Sequence, residues 1–182
     1  MRIRRSFGVS AVALVACLGG CEEVSGPDPV PDVTSAAVPA QAAVRHPIEV
    51  SVGGESGVIG WCDESAGSSL VLVTGFGTMT HVGRFESEQT ACVSLVTGSI
   101  TDGEAVSMAA NGDEVHMTWS GRVVPGVEPQ TLELTYLIDG GTGRFVHAEG
   151  MIDFVVVYTS ETDWVASGSG WLSYEASDRS DR

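Results

Sequence analysis

The chain contains no lysine; its nine basic residues are all arginine, set against 24 acidic ones, for a formal charge of −15 at pH 7. Phosphate binding is driven by basic groups that displace counterions, so this balance excludes ordinary nucleic-acid recognition. It equally disfavours electrostatic docking on an anionic membrane. Aromatic residues are scarce, at 7%. Helical periodicity is also missing: from Ile48 onward no stretch of about ten residues repeats its apolar positions every 3.6 residues. What is present is 43% apolar residues and 23 glycines in 182 residues. That is too apolar for a wholly disordered chain and the right length for one domain.

The amino terminus reads as an export signal. Arg2, Arg4 and Arg5 form a positive start, and residues 9–18 form an apolar run about half the roughly 20 residues that a membrane-spanning helix needs. A short apolar core behind a basic start is the pattern of a cleaved secretory signal. It closes on Leu18-Gly19-Gly20-Cys21, which resembles the lipobox of bacterial lipoproteins. In that family the cysteine is acylated and becomes the first residue after cleavage. The resemblance implies a signal over residues 1–20, a lipidated Cys21 and attachment to a bilayer of the cell envelope. Two or three acyl chains, at about 0.8 kcal/mol per buried methylene, anchor a protein stably. Residues 21–47 then form a tether carrying five of the seven prolines and no aromatic residue. Proline removes backbone donors, so no packed element is expected there. The segment would reach on the order of 80 Å as polyproline, or average nearer ~30 Å as a coil.

From residue 48 to 175 short Val/Thr/Ile/aromatic runs alternate with Gly, Asn, Asp and Ser punctuation, and 176–182 reads as a disordered acidic tail. Strands are expected at 49–52, 69–75, 92–100, 105–110, 114–123, 131–138, 144–158 and 164–174, with a further extended piece over 78–85. Val115, Met117 and Trp119 alternate with His116, Thr118 and Ser120, and Leu132, Leu134, Tyr136 and Ile138 repeat the pattern. Asn111-Gly112-Asp113 and Gly140-Gly141-Thr142-Gly143 supply tight turns, which make neighbouring strands antiparallel. Seven or eight such strands suggest an all-β sandwich or an up-and-down barrel, and closure removes exposed edges. Leu70-Val71-Leu72-Val73 and Phe154-Val155-Val156-Val157 are apolar on both faces, so loops, a C-terminal segment or another copy of the chain should cover the outer face.

Three motifs recur in order: Thr80-His81-Val82-Gly83-Arg84-Phe85, Ala109-Ala110-Asn111-Gly112-Asp113, and Gly140-Gly141-Thr142-Gly143-Arg144-Phe145 with Ala148 and Gly150. Together, over roughly residues 70–174, they resemble bacterial secreted proteins related to the allene oxide cyclase and dirigent barrels. The resemblance implies an antiparallel eight-stranded barrel, a trimer as in plant members, and a cavity that steers a reactive small molecule or holds a hydrophobic one. Trp119, Tyr136, Phe154 and Tyr158 are the cavity candidates. The matched positions are mainly turns, so no catalytic residue is carried over.

Among the chemistry-bearing residues, Cys62 and Cys92 are the pair left once Cys17 departs with the signal and Cys21 is acylated. Export to an oxidising compartment favours a disulfide between them. The bridge would close a loop of about 30 residues, worth about 3 kcal/mol in the chain-entropy model. Residues 140–145 superficially look like a phosphate loop, but no helix and no lysine follow, which leaves a hairpin turn. His81, His116 and His147 lack metal-ligand spacing, and no calcium loop motif occurs, so no metal or other cofactor is expected. His147, Glu149 and Asp153 share a strand face by parity, either as an acid–base group or as a solvated face. Arg84 and Arg144 each follow glycine and precede phenylalanine. Both are expected to be structural arginines near a barrel rim, paired with carboxylates, rather than anion contacts at a cavity mouth. Two further functions are set beside carriage of a small apolar molecule or envelope component: a cyclase-like or dirigent-like stereo-directing activity, and a surface interaction module.

Overall fold

The computed structural model describes residues 44–174. Cys21, the signal, the proline-rich segment up to residue 43 and the acidic tail lie outside the described residues; His46 and Pro47, expected in the tether, instead belong to the first strand, paired with Leu172 and Trp171. Eight strands follow one another: β1 (His46–Asp63), β2 (Ser68–Met79), β3 (Gly83–Ser94), β4 (Ser99–Ala109), β5 (Glu114–Val123), β6 (Thr131–Gly141), β7 (Glu149–Tyr158) and β8 (Asp163–Ser173). Each pairs antiparallel with the next, and β8 pairs with β1 from His46↔Leu172 to Glu55↔Asp163, so the sheet closes into a barrel. The architecture is the antiparallel eight-stranded barrel expected, not the sandwich.

Period-two alternation places the core inside. Val115, Met117 and Trp119 of β5 and Leu132, Leu134, Tyr136 and Ile138 of β6 are all buried. The outward positions carry charge, including Glu86, Glu88, Glu104, Glu133 and Asp153. This is the inverse of a membrane-spanning barrel, whose outer band is apolar and whose lumen is polar.

Strand limits differ from the sequence expectation in five places. β1 runs through Gly53, Gly54, Gly57 and Gly60, a stretch that reads as loop, because these glycines are paired in the ladder with β2, and Gly53 and Gly54 with β8 as well, rather than marking turns. The polar run from Glu86 to Thr90 is the middle of β3, whereas the expected single strand at 92–100 divides between β3 and β4 at a turn where Gly98 has φ +71°. Residues 78–85 contain the β2–β3 turn, with His81 at φ +68° and Gly83 at φ +89°. Arg144 and Phe145 lie in a short 3-10 turn, Gly143–Phe145, so β7 begins only at Glu149. The Gly140-Gly141 pair is the end of β6, and the connection to β7 is longer than a tight hairpin. The Asn111-Gly112 hairpin is present, with Gly112 at φ +87° and Ala109 N–H donating to the Asp113 carbonyl.

One end of the barrel is stoppered. Phe145, Ile48, Ala148, Leu172 and Val82 are buried there, beneath Tyr174, His46 and His81, whose rings contact one another. The first and last described residues both leave from this end.

Candidate functional site: the barrel interior

The interior is not filled. A cavity of about 400 Å³ occupies its centre. The loop residues that line it, Leu95, Gln130, Glu161 and Thr162, belong to the β3–β4, β5–β6 and β7–β8 connections, so it opens at the end opposite the stopper. Its size falls within the range of small-molecule sites.

The cavity has a sequence cause. Several inward positions of β3 and β4 are small: Ser87 and Ala91 on one strand, Gly103, Ala105, Ser107 and Ala109 on the other. Large side chains of β5 to β7 lie over glycines of neighbouring strands. The Trp119 ring and backbone occupy the space a side chain at Gly103 would need, and the Phe154 ring does the same at Gly168. The Trp119 and Phe154 rings therefore lie against the wall.

All four cavity candidates line the space. Trp119 and Tyr136 stack with centroids 5.3 Å apart and planes 4° from parallel; Phe154 meets Tyr136 edge-on at 5.0 Å. Tyr158 stands nearer the mouth, its hydroxyl 2.9 Å from Ser56 Oγ. A polar stripe that sequence reasoning missed runs across the other wall: Ser69 of β2, Ser87 and Gln89 of β3 and Ser107 of β4, all buried and all lining the cavity. Tyr136 reaches across to donate its hydroxyl to Gln89 Oε1 at 2.7 Å, and Gln89 Nε2 donates to Ser87 Oγ at 3.3 Å. Burial pushes the Tyr136 phenol well above its ordinary range, since the phenolate would lose water and gain little in return. It stays protonated and acts as a donor. Counting alternate positions back from Val93 would have placed Ser87 and Gln89 inside, had the polar run been read as strand.

Glu161, at the mouth, is the sole carboxylate lining the cavity among the described residues, and no arginine or histidine lines it. The wall can therefore accept and donate hydrogen bonds but offers no deep ionic partner.

The remaining candidates lie elsewhere. Arg144 is at the stoppered end. Its guanidinium lies 4.7 Å over the Phe145 ring, donates to the Val82 carbonyl at 3.2 Å and approaches Asp113 Oδ2 at 3.6 Å. One side chain thus ties together the β2–β3, β4–β5 and β6–β7 connections. Arg84 is exposed on the outside of β3. His116 is on the outer face, 3.0 Å from Glu114 Oε2, and Asp153 accepts from Thr135 Oγ1 on the same face. His147 and Glu149 are exposed. The described residues hold no cluster of three or more His, Cys, Asp or Glu suited to a metal.

Cys62 and Cys92 form a disulfide, with Cα atoms 5.9 Å apart. It links the bulged end of β1 to β3 at the mouth end, where Val58 and Leu95 line the opening. Outside the barrel, the cross-strand pairs Val157↔Val165, Val165↔Gly53 and Gly53↔Phe76 set an apolar row across β7, β8, β1 and β2. No family model matches the chain, and no curated protein matches it in sequence.

Proposed function

We propose that this chain is an exported, lipid-anchored envelope protein whose barrel carries a small, uncharged and largely apolar molecule. The observation that carries the reading is the cavity itself: about 400 Å³, open at one end, mostly apolar, with neutral hydrogen-bonding groups on one wall. At about 30 Å³ per water molecule in the liquid, such a space displaces roughly a dozen waters, and their release from apolar walls favours an apolar occupant. Cyclase-like or dirigent-like steering would use the same walls. Carriage is preferred because the deep cavity offers a neutral Tyr136 and no ionised acid or base to move a proton. A filled barrel would have favoured a surface module instead.

The export reading is supported by the Cys62–Cys92 bridge, a feature of oxidising compartments. The outward row ending at Phe76 supports self-association, as the trimeric relatives of the resembling barrels would imply.

Native mass spectrometry of the mature protein purified from its own envelope tests the proposal. A retained small molecule identifies the cargo, and the same spectrum reports the number of copies. A bare barrel that also takes up no added apolar probe would overturn the carrier reading. Cys21→Ser should release the protein from the membrane fraction; unchanged partition would overturn the anchor.

A further inference from the structure

The closed half of the cavity holds a polar corner. Ser87 of β3 and Ser107 of β4 are directly opposite each other in the ladder, both are buried, and both line the cavity. Phe85 and Met79 line it on the side toward the stopper. Between the corner and the mouth loops the lining is largely aliphatic, with Val71, Val93, Leu132 and Val156.

The corner ends a directional chain of hydrogen bonds. Tyr136 donates its hydroxyl to Gln89 Oε1, and Gln89 Nε2 donates to Ser87 Oγ. Ser87 is thus the acceptor that closes the chain, and its own hydrogen has no acceptor among the described residues. Reversing the Gln89 amide would move that free hydrogen to Tyr136 and remove none. Ser107 supplies a second, since its hydroxyl bonds to no other described residue. Nor is that hydroxyl sealed off. Among the described residues, the sealed side-chain polar atoms without a partner are on Arg144 and Trp164, so the Ser107 oxygen keeps accessible surface, and the open space it lines is the lumen. Ser87 and Gln89 keep more, at 7% and 8% exposure. An occupant that displaces water from this corner strands both hydrogens unless it brings an acceptor of its own.

We infer that the corner seats a carbonyl group: the cargo is an uncharged apolar compound that enters carbonyl end first, its oxygen accepting from Ser87 and Ser107 while its hydrocarbon body lies along the aliphatic wall toward the mouth. The inference rests on the carrier reading and sharpens it. A carbonyl oxygen has two lone pairs, and directly opposed residues on paired strands, with Cβ atoms about 5 Å apart, can supply both donors. A carboxylate is disfavoured because no cationic side chain lines the cavity, and a plain hydrocarbon would leave both hydroxyls unpaired.

The test uses the unacylated full chain, obtained as the Cys21→Ser variant, and two planar probes of equal size. These are methyl naphthyl ketone and isopropenylnaphthalene, in which a methylene group replaces the oxygen. Calorimetric titration gives the affinities, and the infrared carbonyl band of the bound ketone reports its hydrogen bonds. That band should lie at lower frequency than in hexane. Ser87→Ala and Ser107→Ala should each return part of the shift, weaken ketone binding about five- to tenfold and leave hydrocarbon binding within about twofold. If both substitutions affect the two probes alike, if the bound carbonyl absorbs as it does in hexane, or if its shift survives both substitutions, the corner assignment is overturned while carriage stands. If neither probe enters the barrel, carriage itself falls and takes this inference with it. Should Ser87→Ala fail to fold, Ser107→Ala and the carbonyl band in the otherwise unaltered barrel still decide.

Discussion

At the scale of single residues, the interior is governed by which polar atoms have partners. Tyr136 is the clearest case: stacked on Trp119, bonded to Gln89 and kept neutral by burial. A group whose proton is held more tightly in the folded state stabilises the fold below its unfolded pKa and loses that contribution as pH rises beyond it. For tyrosine that point is about pH 10. The wild-type barrel should therefore lose stability between about pH 10 and 11 more steeply than Tyr136→Phe, by up to about 1.4 kcal/mol per pH unit. Thermal unfolding of both proteins across that range checks it, and parallel curves would contradict the burial argument. Arg144 shows the same rule at the stoppered end. Its pairing was foreseeable from the scarcity of cations; the three connections it joins were not, because they are far apart in sequence.

Among the elements, the strands are held in register by small residues placed under large ones. Gly103 lies beneath Trp119, so Gly103→Val should force the indole inward and destabilise the barrel by about 1–3 kcal/mol, measured by urea unfolding. Retained stability would mean that Trp119 has another resting place. The disulfide acts at the mouth end on β1 and β3. Replacing both cysteines by serine should lower stability by about 3 kcal/mol, since a loop spanning 30 positions regains its freedom in the unfolded chain. Element boundaries were the least legible feature. Alternation identified β5 and β6 because each has one wet face and one dry face. It failed for β1 and β3, where inward glycine, serine and glutamine carry the pattern of a loop while lining a cavity.

For the molecule as a whole, the distribution of size around the barrel matters more than composition. Small inward residues gather on β4 and large ones on β5 to β7, leaving a lumen between them. Ser107 is 2% exposed and lies on the small side. Ser107→Leu should occupy part of the lumen, keep the thermal midpoint within a few degrees and lower binding of methyl naphthyl ketone at least about tenfold. Calorimetric titration provides the measure, and unchanged affinity would place the ligand elsewhere. Because the first and last described residues share the stoppered end, a fusion at either terminus should leave binding intact.

Local chemistry determined much of this protein before any coordinates. Alternation every second residue and short turns dictated an antiparallel all-β domain, and reading the amino terminus as an export signal left two cysteines to form a bridge. Turn glycines such as Gly112 were readable because a positive φ is a local demand. The glycines under Trp119 and Phe154 were not, since what they accommodate comes from another strand. Closure, the stopper, the direction of the mouth and the polar corner all depend on residues distant in sequence meeting through register. Only the folded barrel decides those, because a strand's own side chains say which face is dry but not what lies across it.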